Sequence, residues 1–272
     1  MMEYRKSIAF IGGGNMGEAL AGGITRAGIV PAESIIVSDP SAKRCALLSR
    51  EHGFTTTDSN IQAAVAGGTV FLAVKPQVLP AVVDEIASSV TVDQLVISIA
   101  AGFPLQFLEG SFSGKPVIRS MPNTPALVGC GATVISPGKD VPAEMTHWAV
   151  ELFQSVGTCH VLPDHLMNAV TGLSGSGPAY IFKMAEALIE AGMSVGIPAE
   201  ESAGLVKQTV LGAARLMTET EKSPTRLREM VTSPGGTTMA GLAAMDEARF
   251  GEIVIEAVKA ATKRAEELGK KG

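Results

Sequence analysis

The chain has 272 residues, 46% hydrophobic and 18% charged, which excludes a largely disordered protein and leaves room for one large domain or two of ordinary size. Its formal net charge of −5 and lack of a basic stripe argue against nucleic acid as a partner, with Lys270-Lys271 read as a solvated tail. Met1–Ser7 carries charge and enters an apolar run too short for a signal peptide or a spanning helix, and Cys45, Cys130 and Cys159 form no CxxC pair, so a cytoplasmic protein with reduced thiols, no membrane association and no metal is expected.

Ser7 to Ile11 is a short apolar run that stops at three glycines. Helical spacing follows from Met16 to Ala27, with Met16, Leu20, Ile24 and Ala27 on one face. Ile35–Val37 reads as a second strand, and Asp39 or Ser41 as the cap of a helix reaching about His52. Strand, tight turn, helix and strand make the first crossover unit of a parallel sheet. Further strands are expected at Val70–Val74, Leu95–Ile99, Val117–Met121, Thr133–Ile135 and Cys159–Leu162, with helices at Gln77–Ser88 and from about Pro142 to Gln154. After about Asp164 strand signals end. One helix runs from Pro178 to Val195, and another opens at Pro198 and continues to about Glu219. Leu205, Thr209, Gly212, Ala213 and Leu216 share a face of the latter, a small-residue seam for close helix contact, either within the chain or across a dimer interface. The expected architecture is α/β: a Rossmann-type doubly wound parallel sheet over residues 1–164, then an all-helical domain over 165–272.

Gly12, Gly14 and Gly17 satisfy G-x-G-x-x-G between a strand and a helix, the context in which that pattern binds a dinucleotide. The helix start turns free N–H groups toward the pyrophosphate. Asp39 stands at the tip of the second strand, where a carboxylate accepts from a free ribose 2′-hydroxyl and repels a 2′-phosphate. By itself it points to NADH. Ser38, Ser41, Lys43 and Arg44 lie close enough to offer a phosphate partners instead, and Asp39 could simply cap a helix. Ala73-Val74-Lys75-Pro76 and Ala100-Ala101-Gly102 end strands at the same carboxyl edge, and Met121-Pro122-Asn123-Thr124-Pro125 forms a rigid turn there.

Two segments of the second half concentrate N–H and hydroxyl donors. Gly172-Leu173-Ser174-Gly175-Ser176-Gly177-Pro178 stands at the entry to a long helix, and Ser233-Pro234-Gly235-Gly236-Thr237-Thr238 lies between helices. The second can wrap a carboxylate without an arginine; the alternative is a helix–helix turn with Thr238 as N-cap. None of the four histidines falls in a glycine-rich loop or a metal-ligand spacing. Hydride transfer to a ketone calls for a placed acid, whereas a protonated imine needs much less, so an imine suits these donors better. The competing readings are a reductase for another cyclic imine or a small hydroxy acid, and a dinucleotide sensor without catalysis.

Taken together, IGGGNMG, FLAVKPQ, SIAAG, MPNTP, VTGLSGSGPAY and SPGGTT resemble the pyrroline-5-carboxylate reductase family, in matching order over nearly the whole chain. The resemblance implies reduction of L-1-pyrroline-5-carboxylate to L-proline with NADPH or NADH, the last step of proline biosynthesis. It implies a helical domain that interleaves with a partner subunit, giving a homodimer able to assemble into a larger homo-oligomer. Ile11, Gly12, Gly13, Gly14, Asn15, Met16, Asn60, Ala73, Val74, Lys75, Pro76, Ala100 and Ala101 would then hold the cofactor, with Gly17, Ser38 and Asp39 beside them. Ser233, Gly235, Gly236 and Thr237 would bind the substrate carboxylate with Ser176 nearby, and Thr238 would act on the ring nitrogen as the catalytic hydroxyl. Asp164 and Glu221 match acidic positions near the family's site. Many members carry a neutral or basic residue where this chain has Asp39, which leaves NADPH preference in doubt.

Overall fold

The computed structural model describes residues 3–269; Lys270-Lys271 lies outside the described residues. The chain divides into two compact units, one comprising the chain up to Ser176 with the stretch from Ala260 onward, the other Gly177–Lys259. The first unit is built on strands β1 (Ile8–Ile11), β2 (Ile35–Ser38), β3 (Thr55–Thr57), β4 (Thr69–Leu72), β5 (Leu95–Ser98), β6 (Val117–Met121), β7 (Gly131–Pro137) and β8 (Gly157–Val161). They hydrogen-bond in the order β3-β2-β1-β4-β5-β6-β7-β8. The order reverses between β1 and β4, the switch point at which an open α/β sheet leaves a crevice beyond its strand ends.

Helices α1 (Asn15–Arg26), α2 (Ala42–His52), α3 (Asn60–Ala66), α4 (Leu79–Ile86), α5 (Leu105–Ser111) and α6 (Ala143–Gln154) connect these strands, and α7 (Met167–Val170) follows β8. The sheet separates two apolar layers. One side gathers Phe10, Leu20, Ile24, Phe71 and Phe153 of α1, α6 and their strands; the other gathers Ile11, Leu72, Val83, Ile86 and Leu108 of α3, α4 and α5. Phe71 lies at the centre of the first layer. Its ring stacks on Phe10 at 4.7 Å and meets Phe153 edge-on at 5.9 Å. Deep in the same layer the Trp148 indole N–H donates to Thr69 Oγ1 (3.0 Å), which donates in turn to the Tyr4 carbonyl (2.7 Å), so no polar atom of that trio is stranded.

Three expectations need correction. The sheet is not wholly parallel, because β7 runs antiparallel to β6. Residues 122–130 separate them, too short a connection for a crossover, so the chain reverses through the turn Thr124–Val128. Ala27 does not share the buried face of α1: it caps the helix and is exposed, while Gly17, Gly22 and Gly23 are buried in its place. The segment around Ser174 is not an open glycine loop. Thr171–Gly175 form a π-helical turn that runs on from α7, and Ser176 N–H donates to the Thr171 carbonyl at 2.9 Å.

The second unit holds α8 (Gly177–Ser194), α9 (Ala199–Glu219), α10 (Pro224–Met230), α11 (Thr237–Glu247) and the first half of α12 (Phe250–Gly269). Helices α8 and α9 form an antiparallel pair closed by Ser202, whose hydroxyl donates to the Ile189 carbonyl (2.9 Å). Phe182, Leu205, Leu216, Met230 and Ile253 are all more than half exposed. The seam on α9 therefore finds no cover within its own unit, and nothing obstructs a Cβ at Gly212. Among the described residues no helix is long and apolar enough to cross a membrane.

Phe71→Ala should cost about 3–5 kcal/mol, because it removes both ring contacts and leaves a cavity that the sheet cannot close. Chemical denaturation followed by circular dichroism would register the loss.

Candidate active site

The glycine turn follows β1 into the crevice. Gly12 has φ +104°, and a Cβ there would lie 2.7 Å from the Ala73 carbonyl oxygen just beyond β4. A Cβ on Gly17 would come within 2.8 Å of the Gly12 carbonyl and 3.3 Å of the Ala73 Cβ. Both glycines are thus required by close backbone approach. Gly14 has open space where its Cβ would stand, and it begins α1 without any side-chain cap. The first N–H groups of α1 therefore face open space beside the turn, with Asn15 exposed and Met16 half-buried there. This is the donor set and clearance that a dinucleotide pyrophosphate needs.

The second-strand tip is tied to this turn. Gly13 N–H donates to Asp39 Oδ2 (3.0 Å) and Ser41 N–H to Asp39 Oδ1 (2.9 Å). The cap of α2 is Ser41, whose hydroxyl accepts from Arg44 N–H (3.3 Å), so Asp39 is free of that task. Arg44 Nε donates to the Gly13 carbonyl and its Nη2 to Glu18 Oε2 (2.6 Å), while His52 Nε2 meets Glu18 Oε1 (2.8 Å). Ser38 and Asn60, both anticipated at the cofactor, are brought together: the Ser38 hydroxyl donates to Asn60 Oδ1 (2.8 Å), and Asn60 Nδ2 donates to Glu85 (2.8 Å).

Beyond β4 and β5, Ala73 and Val74 are half-buried, Lys75 is exposed, and Ala100 is buried with its N–H on the Ser98 hydroxyl (3.3 Å). Lys75 carries no hydrogen bond to another side chain and precedes the short turn begun by Pro76. Asn123 and Arg119 are anchors that the sequence reading did not single out. Asn123 accepts from Ala132 N–H (2.8 Å) and donates to the Ser174 carbonyl (3.0 Å), pinning the π-helical turn to the end of β6. Arg119, only 5% exposed, donates to Asp164 Oδ1 (2.9 Å), whose other oxygen lies 3.4 Å from Leu105 N at the start of α5. Asp164 thereby ties β6 to the start of α5. A single arginine inside the apolar strand VIRSM was the available signal, since a charge there must find a partner.

In the second unit, Ser233–Gly236 link α10 to α11. Gly235 has φ +70°, and Gly236 N–H donates to the Ser233 carbonyl at 3.0 Å. The N-cap of α11 is Gly236, not Thr238, and no side chain caps this helix. Thr237 is exposed and Thr238 half-buried on its first turn, so uncapped N–H groups and two hydroxyls occupy one short stretch. Ser176 is half-buried at the end of the π-helical turn, and Glu221 is exposed between α9 and α10.

Gly12→Ala should weaken nicotinamide dinucleotide binding by at least about tenfold, through strain at positive φ and the clash with Ala73, as read by calorimetric titration. Burial pushes the Glu18 carboxyl up, but the hydrogen bonds from His52 and Arg44 and their charges outweigh it, so its pKa is lowered. A lowered folded-state pKa gives stability that is complete above the unfolded value and lost as pH falls through the folded one. The stability difference between the wild type and Glu18→Gln should therefore shrink as pH drops below about 4, in denaturation curves taken across that range.

Comparison with known proteins places this geometry in a family. Residues 164–268 match a family model described as pyrroline-5-carboxylate reductase dimerisation, and residues 7–102 one described as NADP oxidoreductase coenzyme F420-dependent. A pyrroline-5-carboxylate reductase of Synechocystis sp. is 43% identical over 97% of this chain and 98% of its own length. The Escherichia coli protein of the same name is 38% identical over 97% and 99%. A solved pyrroline-5-carboxylate reductase from Coxiella burnetii superimposes with a TM-score of 0.92 at 37% identity, covering 97% of this chain and 98% of that one. The Plasmodium falciparum pyrroline carboxylate reductase, solved with NADP bound, gives 0.87 at 31% identity over 98% and 99%. With relatives at this identity along nearly its full length, the chain belongs to the pyrroline-5-carboxylate reductase family of NAD(P)-dependent oxidoreductases.

Proposed function

We propose that this chain reduces L-1-pyrroline-5-carboxylate to L-proline with NADH or NADPH, as the last step of proline biosynthesis in the cytoplasm. The observation that carries this reading is the full-length kinship with reductases of that name. Residues 1–164 serve as the dinucleotide-binding domain and 165–272 as the substrate-binding and dimerisation domain. The glycine turn Gly12–Gly17 and the start of α1 hold the pyrophosphate, Ser38, Asp39 and Asn60 face the adenosine side, and Ala73–Pro76 with Ala100-Ala101 line the nicotinamide side.

When bound, the reduced nicotinamide supplies the hydride that the imine carbon accepts. The protein's own part is binding and orientation. N–H groups of Gly235 and Thr237, with the Ser233 hydroxyl, cradle the substrate carboxylate, while Gly236, its N–H closing the turn onto the Ser233 carbonyl, shapes the cradle. The Thr238 hydroxyl hydrogen-bonds the ring nitrogen and fixes the imine's orientation. With the imine already protonated, hydride addition yields a neutral amine, and no further acid is required at the reacting carbon. Ser176 and Glu221 complete the polar surround.

The working unit is a homodimer that assembles further into a larger homo-oligomer. Support comes from the dimerisation model matched by residues 164–268 and from the uncovered apolar faces of α8, α9 and α12.

Steady-state reduction of pyrroline-5-carboxylate with each nicotinamide tests the reading directly. Turnover confined to another cyclic imine would reassign the substrate, and cofactor binding with no turnover on any imine would return the chain to a dinucleotide sensor. Thr238→Ala should lower kcat/KM about a hundredfold, the scale of losing one oriented donor, while leaving cofactor affinity unchanged. Full activity in that variant would remove the hydroxyl from the mechanism.

A further inference from the structure

We infer that the second-strand tip makes this enzyme prefer NADH, with Asp39 as the residue that decides and Arg44 withdrawn from phosphate recognition by Gly13 and Glu18. The inference rests on the cofactor assignment proposed above and settles what the sequence left open. Sequence alone placed an acid and several possible phosphate partners within a few residues of one another. The structure shows how Asp39 and Arg44 are engaged.

Asp39 is held in place. Each carboxylate oxygen accepts one backbone N–H, from Gly13 and from Ser41, and the side chain cannot swing aside without stranding both donors. On the same residue, the backbone carbonyl accepts from the Cys45 thiol (3.3 Å), and its N–H donates to the Thr57 carbonyl (3.1 Å). A carboxylate offers about four acceptor directions, so each oxygen retains one for an incoming donor. Two hydroxyls of a ribose diol match that supply. A 2′-phosphate offers no donor when ionised and would bring about two negative charges against a carboxylate that cannot retreat. The carboxylate also lies directly against the turn, because a Cβ on Gly13 would stand 3.2 Å from Asp39 Oδ2.

The cations nearby do not reverse this. Arg44 is fixed along its length, Nε on the Gly13 carbonyl and Nη2 on Glu18, and its side chain is only 21% exposed. Glu18 balances its charge and is further held by His52. Moving Arg44 to a phosphate would leave Glu18 partly buried beside His52 alone. The Ser41 hydroxyl accepts Arg44 N–H as the cap of α2 and keeps its own hydrogen, a single neutral donor that does not offset the repulsion from a fixed carboxylate. Lys43 remains, exposed on α2, where a solvated ammonium recovers little against a fixed carboxylate.

The test is calorimetric titration of the wild type and Asp39→Asn with NADH and with NADPH, in the absence of any imine. Asparagine keeps the size and removes the charge. The wild type should bind NADH at least about tenfold more tightly than NADPH, the scale of one unfavourable charge contact, and Asp39→Asn should move that ratio at least tenfold toward NADPH. A wild type that binds NADPH as tightly as NADH overturns the inference without any variant. So does a ratio that Asp39→Asn leaves unchanged. Because no substrate is present, a failure here is separate from a failure of the proposed reaction; a chain that binds neither nucleotide would overturn the cofactor site itself.

Discussion

The approach of Gly12 to Ala73 is the constraint from which the first unit is organised. For β1 to end and α1 to begin within a few residues, the backbone must turn at positive φ while passing so close to the β4 terminus that no side chain fits. Ala73 N–H donates to the Ile11 carbonyl at 2.8 Å, which fastens the two strand ends exactly where the sheet order reverses. Gly17 then lets α1 settle onto the same junction. The uncapped helix start and the open space over Gly14 follow from that geometry. A turn able to satisfy its own N–H groups would have no donors left for a phosphate.

The two units differ in how their helices are stabilised. In the first, the central strands β1, β4, β5 and β6 are covered on both faces, and the buried aromatic and aliphatic side chains form two continuous layers. In the second, α8 through α11 lack a buried hydrophobic residue, although each carries several large ones. Helices draw most of their stability from packing an apolar face, and α9, at 21 residues, exposes Leu205, Leu211 and Leu216. Such a set of faces is that of an element whose core is completed by another copy, in keeping with the dimerisation family that this stretch matches.

What could be read in the sequence depended on how far each signal was local. Strands β1, β4, β5 and β6 are buried on both faces and appear as unbroken apolar runs, and α8 and α9 are long enough for their period to show. Strand β3, three threonines at the sheet edge, has neither apolar run nor alternation, and α3 and α5 span seven residues each, under two full periods. The reversal at β7 depended on connection length, not composition. The glycines and serines near Ser174 suggested a loop, yet they permit a π-helical turn in which Gly175 lies so close to Met121 that a Cβ would stand 2.7 Å from its methyl carbon. Glycine content reports close approach; it does not report whether the backbone N–H groups there stay free.

The same distinction governs the candidate site. Two helices, α1 and α11, begin at a glycine with no side-chain cap, and both had been marked by their glycine-rich approach. Helix α2, by contrast, is capped by Ser41, and α10 by Ser223. Leaving a helix start uncapped forfeits roughly 1 kcal/mol that a serine or aspartate would contribute; α5, α6 and α9 do so behind a proline, so a missing cap bears on a ligand only together with the glycine-rich approach that α1 and α11 share. Asp39 shows the limit of reading residue by residue. Its identity was compatible with a cap of α2 or a ribose contact, and only the position of Ser41, whose hydroxyl takes the Arg44 N–H at that helix start, removes the first of these roles. A lone residue type announces a chemistry, but the partners that engage or release it decide whether that chemistry is available to a ligand.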